Sequence, residues 1–164
     1  MGNVSNQLLG GTDTWYFAPG MGTVTSGAMH FVVNASTSNK YPAVSSVIAS
    51  KGGMVGCADL TSKYTSVSFK ISSPTNTSLL FEIASLETVM AQDGSGFRSS
   101  FTLSATTSTV TIMLSSLMPA SFGIGASQAM MSGFSVAKDA SAIIFGVGKE
   151  SENLDITVDD ITFQ

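Results

Sequence analysis

Apolar residues recur at every second position along most of this chain. Val67, Phe69 and Ile71 alternate with Ser66, Ser68, Lys70 and Ser72, and Leu79, Phe81 and Ile83 alternate with Leu80, Glu82 and Ala84. Phe101 and Leu103 alternate with Ser100, Thr102 and Ser104, and Val110, Ile112 and Leu114 alternate with Thr109, Thr111, Met113 and Ser115. A period of two is that of a strand with one face buried. Further strands are predicted over residues 27–34, 44–49, 142–148 and Leu154–Phe163. Turn clusters punctuate them: Ser73-Pro74-Thr75-Asn76-Thr77, Gln92-Asp93-Gly94-Ser95-Gly96 and Met118-Pro119-Ala120-Ser121. No window reads as a long amphipathic helix; residues 60–64 make one short turn, opened by Asp59. Eight or more short strands with such turns predict an all-β fold, a two-sheet antiparallel β-sandwich of the jelly-roll kind. The 164 residues suit one self-sufficient domain, with residues 1–7 expected to be disordered or vector-derived.

The closing segment breaks the period. Leu154, Ile156 and Val158 are apolar at even numbers, Ile161 and Phe163 at odd ones, and the phase changes at Asp159-Asp160. A strand that keeps its apolar side on the core needs an extra residue there, a β-bulge. Two adjacent carboxylates repel each other; a bound cation such as Ca²⁺, which oxygen ligands suit, or burial of one against backbone amides would offset that, and plain exposure at a strand end is the alternative.

Composition narrows the function classes. Only 11% of the residues are charged, against about 25% in an ordinary domain. Polarity is carried instead by 27 Ser and 17 Thr. Hydrophobic content of 43% argues against disorder. A net charge of −4 argues against a nucleic-acid partner. The longest uncharged stretch, residues 99–137, is broken by Ser-rich runs, Pro119 and several Gly, so no membrane span is expected. No signal peptide or myristoylation pattern is read in Met1–Gln7. Sequons at Asn3, Asn34 and Asn76 are compatible with secretion. One cysteine, Cys57, excludes an intramolecular disulfide and is expected as a small buried hydrophobe. With one histidine, His30, and no nucleophile-elbow or phosphate-loop motif, catalysis is not expected. Glu82 and Glu87 fall on opposite faces of one regular strand, which does not suit a glycosidase pair.

The segment Leu154-Asp155-Ile156-Thr157-Val158-Asp159-Asp160-Ile161-Thr162-Phe163 resembles the closing strand of β-jelly-roll carbohydrate-binding modules of the galactose-binding-like group, which are appended to secreted glycoside hydrolases. Leu9-Gly10-Gly11-Thr12-Asp13-Thr14-Trp15 resembles their opening loop. Asp59-Leu60-Thr61-Ser62-Lys63-Tyr64-Thr65-Ser66-Val67-Ser68-Phe69-Lys70-Ile71 resembles a further strand, with Ser66 where a Gly is usual, and Ser73-Pro74 follows. The resemblance implies a structural calcium bridging the opening loop to the last strand, with Asp159 or Asp160 and then Asp13 as ligands. It also implies sugar chains bound in a concave groove or at loop tips, and a place in a larger secreted modular protein.

Sugar recognition takes aromatic faces for pyranose C–H surfaces and planar polar groups for hydroxyl pairs. Trp15 and Tyr41 sit beside turn residues and are the stacking candidates, Trp15 being equally suited to the core. Glu82, Arg98 and His30 are the candidate hydrogen-bonding groups, His30 also fitting a satisfied sheet histidine. Lys70 and Glu82 are expected to pair across a hairpin if their strands are neighbours. The expected function is non-catalytic polysaccharide or oligosaccharide binding. The alternative is a structural, adhesion or capsid-type β-sandwich with no sugar site.

Overall fold

The computed structural model describes residues 5–6, 13–16, 22–25, 28–47, 50–51, 54–55, 57–87, 96–103, 107–121 and 137–164, with side chains over 28–45, 57–87, 96–103, 107–121 and 138–164. Its strands begin with β1 (Ser5–Asn6), β2 (Asp13–Tyr16), β3 (Gly22–Thr25), β4 (Ala28–Val33) and β5 (Ala43–Val47). They continue with β6 (Ser50–Lys51), β7 (Met54–Val55), β8 (Ser66–Ser72), β9 (Ser78–Ser85) and β10 (Phe97–Thr102). The last are β11 (Ser108–Met113), β12 (Met118–Pro119), β13 (Ala140–Val147) and β14 (Leu154–Phe163). Each strand predicted from the two-residue period is present. The strands that the pattern misses are β1, β2, β3, β6, β7 and β12, none longer than four residues. Among the described residues no helix is long and apolar enough to cross a membrane.

The strands form a large sheet in the order β1-β2-β5-β13-β9-β10-β12 and a small sheet in the order β11-β8-β14-β4-β3, all antiparallel, with β6 and β7 paired apart. This is the expected two-sheet sandwich. One apolar face of each sheet meets the other. Phe69, from the small sheet, sits among Phe81, Phe101 and Phe145 of the large one, with ring centroids 5.5, 5.7 and 5.0 Å away. Two of those contacts are edge-on and one is stacked, geometries that add roughly 0.5–1.5 kcal/mol per pair beyond burial.

Not all sequence neighbours here are sheet neighbours. β8 and β9 are joined by five residues, yet they belong to opposite sheets. The link 73–77 therefore crosses the edge of the sandwich instead of turning a hairpin. Ser73 Oγ accepts the Asn76 amide at 2.7 Å, and the buried Asn76 side chain donates to the Asn153 carbonyl at 2.8 Å while accepting the Asp155 amide at 2.9 Å. The expected Lys70–Glu82 pair is thus wrong. Lys70 pairs with Asp160 at 2.6 Å, and Glu82 pairs with Arg98 at 2.7 Å.

The bulge at the phase break is present. The register of β14 on β8 shifts between Asp159 and Thr162, and Asp160 has φ 51°. Leu154, Ile156, Val158, Ile161 and Phe163 are all buried as a result. The Lys70 ammonium donates to the Asp160 carboxylate, and this hydrogen bond, then the charges of Asp160 and Asp159, hold it above the ordinary lysine value. A raised value means the pair stabilises fully below lysine's unfolded value and is lost as pH rises through the folded one.

Two smaller expectations divide. Asp59 does open the turn over 60–64, its carboxylate accepting the Thr61 and Ser62 amides at 2.9 and 3.2 Å. Cys57, in contrast, is exposed, because the Ala58–Ala140 bridge that follows it lies at the margin of the sheet. Its thiol is pushed up by a hydrogen bond with Asp139, then by burial and that residue's charge. A thiol held protonated in this way is a poor nucleophile.

Truncating the ring that joins the sheets is expected to be costly. Phe69→Ala should lose about 3–5 kcal/mol, read from the urea unfolding midpoint. A loss below about 1 kcal/mol would mean that the ring cluster does not join the sheets.

Candidate ligand-binding groove

Antiparallel pairing sets opposite residues on the same face of a sheet. On the large sheet this gives one outward row, Ser45–Ile144–Glu82–Arg98–Met118, and a second, Ala43–Gly146–Leu80–Ser100. The intervening row, Val44–Phe145–Phe81, is buried in the core. Short side chains at Ala43, Ser45 and Gly146 leave a depression over the outward face, a groove of about 550 Å³. Leu80 and Ile144 make its floor apolar, and Tyr41 and Arg98 also line it. A Cβ on Gly146 would stand 3.3 Å from the Ala43 Cβ, so glycine there keeps the floor low.

Tyr41 lies on the loop entering β5 and is 57% exposed, a large apolar ring facing water. Arg98 enters from β10 with its side chain 23% exposed. Beneath it the Glu82 side chain is only 6% exposed. Its Oε2 meets Arg98 Nη2 at 2.7 Å, and its Oε1 accepts the Gly96 amide at 2.7 Å. A buried carboxylate is tolerated only when paired and hydrogen-bonded in this way. Gly96 is part of the device. A Cβ there would lie 2.8 Å from Glu82 Oε1 and 2.9 Å from its Cγ, and closer still to the Ile83 carbonyl. The sequence marks Gly96 only as a turn residue; that a side chain 14 positions earlier folds over it has no local signal.

Of the predicted site residues, Tyr41, Glu82 and Arg98 line one groove. His30 does not join them. It stands on the small sheet with Nε2 2.8 Å from Asp155 Oδ1, a sheet histidine with a partner. Trp15 lies in strand β2 and not in a loop, its backbone opposite Ser46; its side chain and that of Asp13 lie outside the described residues. Glu87 lies beyond the end of β9, so it shares no strand with Glu82. At the bulge, Asp159 Oδ1 accepts the Asp160 amide at 2.8 Å and the Asp160 carboxylate faces Lys70. Among the described residues no three His, Cys, Asp or Glu converge as a metal site. Calcium at Asp160 would thus compete with Lys70 for the carboxylate.

No protein-family model and no curated protein matches the chain. Solved structures do match its fold. The family 11 carbohydrate-binding module of a cellulosomal cellulase of Clostridium thermocellum aligns over 98% of this chain and 92% of its own, with a TM-score of 0.61 and 18% identity. A family 11 module from the same organism, in complex with a β-1,3-1,4-mixed-linked tetrasaccharide, aligns over 98% and 85%, with a TM-score of 0.56 and 16% identity. The jelly-roll sandwich expected from the sequence is therefore shared with carbohydrate-binding modules across nearly the whole chain.

Breaking the pair under the groove should be felt in stability. Glu82→Ala is expected to cost about 3 kcal/mol, because it leaves Arg98 without its buried counter-charge. Gly96→Ala should also destabilise, by displacing Glu82. Thermal melts check both, and a Glu82→Ala protein as stable as the parent would contradict the arrangement.

Proposed function

We propose that this chain is a non-catalytic carbohydrate-binding module that takes a neutral polysaccharide chain in the groove of the large sheet. The observation that carries this reading is the pairing of an exposed aromatic ring, Tyr41, with a fixed guanidinium, Arg98, over an apolar floor. Pyranose rings present C–H faces that stack on Tyr41, and Arg98 donates to neighbouring hydroxyls. Glu82 neutralises Arg98, so the groove suits an uncharged chain better than a polyanion. Support also comes from the shared fold, one of whose bearers is in complex with a β-1,3-1,4-mixed-linked tetrasaccharide. The same reading makes the chain one module of a larger secreted polysaccharide-degrading protein, as the similar module of a cellulosomal cellulase is part of a cellulase.

Affinity electrophoresis on mixed-linkage β-glucan, xylan, mannan and galactan tests the reading. Retardation by one glycan is expected, with Tyr41→Ala weakening it roughly thirtyfold, the effect of losing about 2 kcal/mol at an aromatic anchor. No retardation on any glycan would favour the adhesion or capsid-type sandwich instead.

The calcium reading stands on Asp159 or Asp160 at the bulge, with Asp13 as the second candidate ligand. Chelation with EDTA is expected to lower the melting temperature and added Ca²⁺ to restore it. An unchanged melt would leave Lys70 as the counter-charge of the bulge.

A further inference from the structure

Tyr41 is an exposed ring on a loop, and such a ring ordinarily loses freedom when a ligand settles on it. This loop is already tied. The carbonyl before Tyr41, that of Lys40, accepts the Ser151 amide at 2.7 Å. The carbonyl after it, that of Pro42, accepts the Val147 amide at 3.1 Å. Tyr41 is thus straddled by two backbone hydrogen bonds, one from the last residue of β13 and one from the segment that follows it. Pro42 further confines Tyr41 to extended backbone. Upstream, the Ser36 and Asn39 backbones bond each other reciprocally at 3.0 and 3.1 Å. Lys40 Nζ and Glu150 Oε1 add an ion pair at 2.8 Å across the same gap.

The tie has a local strain. Ser151 has φ 64°, left-handed backbone that a serine seldom adopts. Strained residues persist where the surrounding structure over-determines them, and they gather at binding sites. Ser151 is exposed, so no core packing demands this conformation. What the conformation does provide is the direction of its amide, towards Lys40.

We propose that Ser151 and Glu150 are positioning residues for Tyr41: they fix the ring's loop in its binding place before any ligand arrives. Neither touches the ligand in this account. The idea rests on the groove being the sugar site, but its first consequence, loop order in the free protein, does not.

The test compares Ser151→Val, Ser151→Gly and Glu150→Lys in the full chain. A β-branched residue opposes positive φ, glycine accepts it, and lysine sets a like charge against Lys40. Backbone ¹⁵N relaxation at residues 39–42 reads loop order without ligand. Titration with a β-1,3-1,4-linked glucan tetrasaccharide reads affinity, and the melting temperature guards against general unfolding. Ser151→Val and Glu150→Lys are expected to loosen residues 39–42 and to weaken binding roughly three- to tenfold, the scale of ordering one side chain on binding. Ser151→Gly should return both towards the parent. Unchanged loop order in Ser151→Val overturns the proposal, as does a glycine variant as loose as the valine one. If the parent binds no tetrasaccharide, affinity is read with the glycan that retards it; if no glycan does, the functional reading is what fails, and the relaxation data still decide the tie.

Discussion

The sandwich depends on one ring crossing the gap between its sheets. Phe69 projects from the small sheet into a nest of three phenylalanines on the large one, and its contacts set how the two layers face each other. Around it, the apolar positions of β8, β9, β13 and β14 have a single buried side to share. The other face of each sheet turns away from this core. The outward face of the large sheet is where short residues, Ala43 and Gly146, meet larger ones, Leu80 and Ile144, so that a flat surface becomes a groove. The groove is therefore a by-product of strand pairing, and the residues at its walls are held by elements whose first duty is to the core.

Scarcity of charge gives the few charged groups distinct duties. Lys70 and Asp160 steady a bulge, Lys40 and Glu150 join two loops, and Glu82 is sunk beneath Arg98. The last pair differs from the others in burial. A surface pair contributes about 0–1 kcal/mol, whereas a carboxylate removed from water is tolerated only with its partners in place. Glu82 is thus held by Arg98 and the Gly96 amide, and of the two side chains the guanidinium is the more exposed.

Much of the fold was legible because burial on one side imposes a period of two, and that period survives without neighbours. The bulge was legible for the same reason, since Ile161 and Phe163 fall out of phase with Leu154, Ile156 and Val158. What the pattern cannot carry is which sheet a strand joins. Lys70 and Glu82 are close in sequence and lie in different layers, because the Ser73–Asn76 link crosses instead of turning back. Short strands such as β2 carry too few residues for a period, so Trp15 read as loop. Cys57 read as buried from its residue type, while its place beside an edge bridge leaves it exposed. Tyr41, Glu82 and Arg98 were legible as individual residues; only the register of β5, β13, β9 and β10 brings them to one face.

The bulge in β14 has a bearing on how such chains are compared. Past Asp160 the strand runs in the opposite phase, which lets Phe163 lie inward, its ring 5.7 Å from that of Tyr64. A chain of the same fold without this extra residue would be one position shorter there and keep its apolar residues in step. Aligning the two without a gap would set the final buried side chains of one against the solvent-facing ones of the other. The closing strand would then look unrelated although its core is the same, and a gap at Asp159-Asp160 would restore the match.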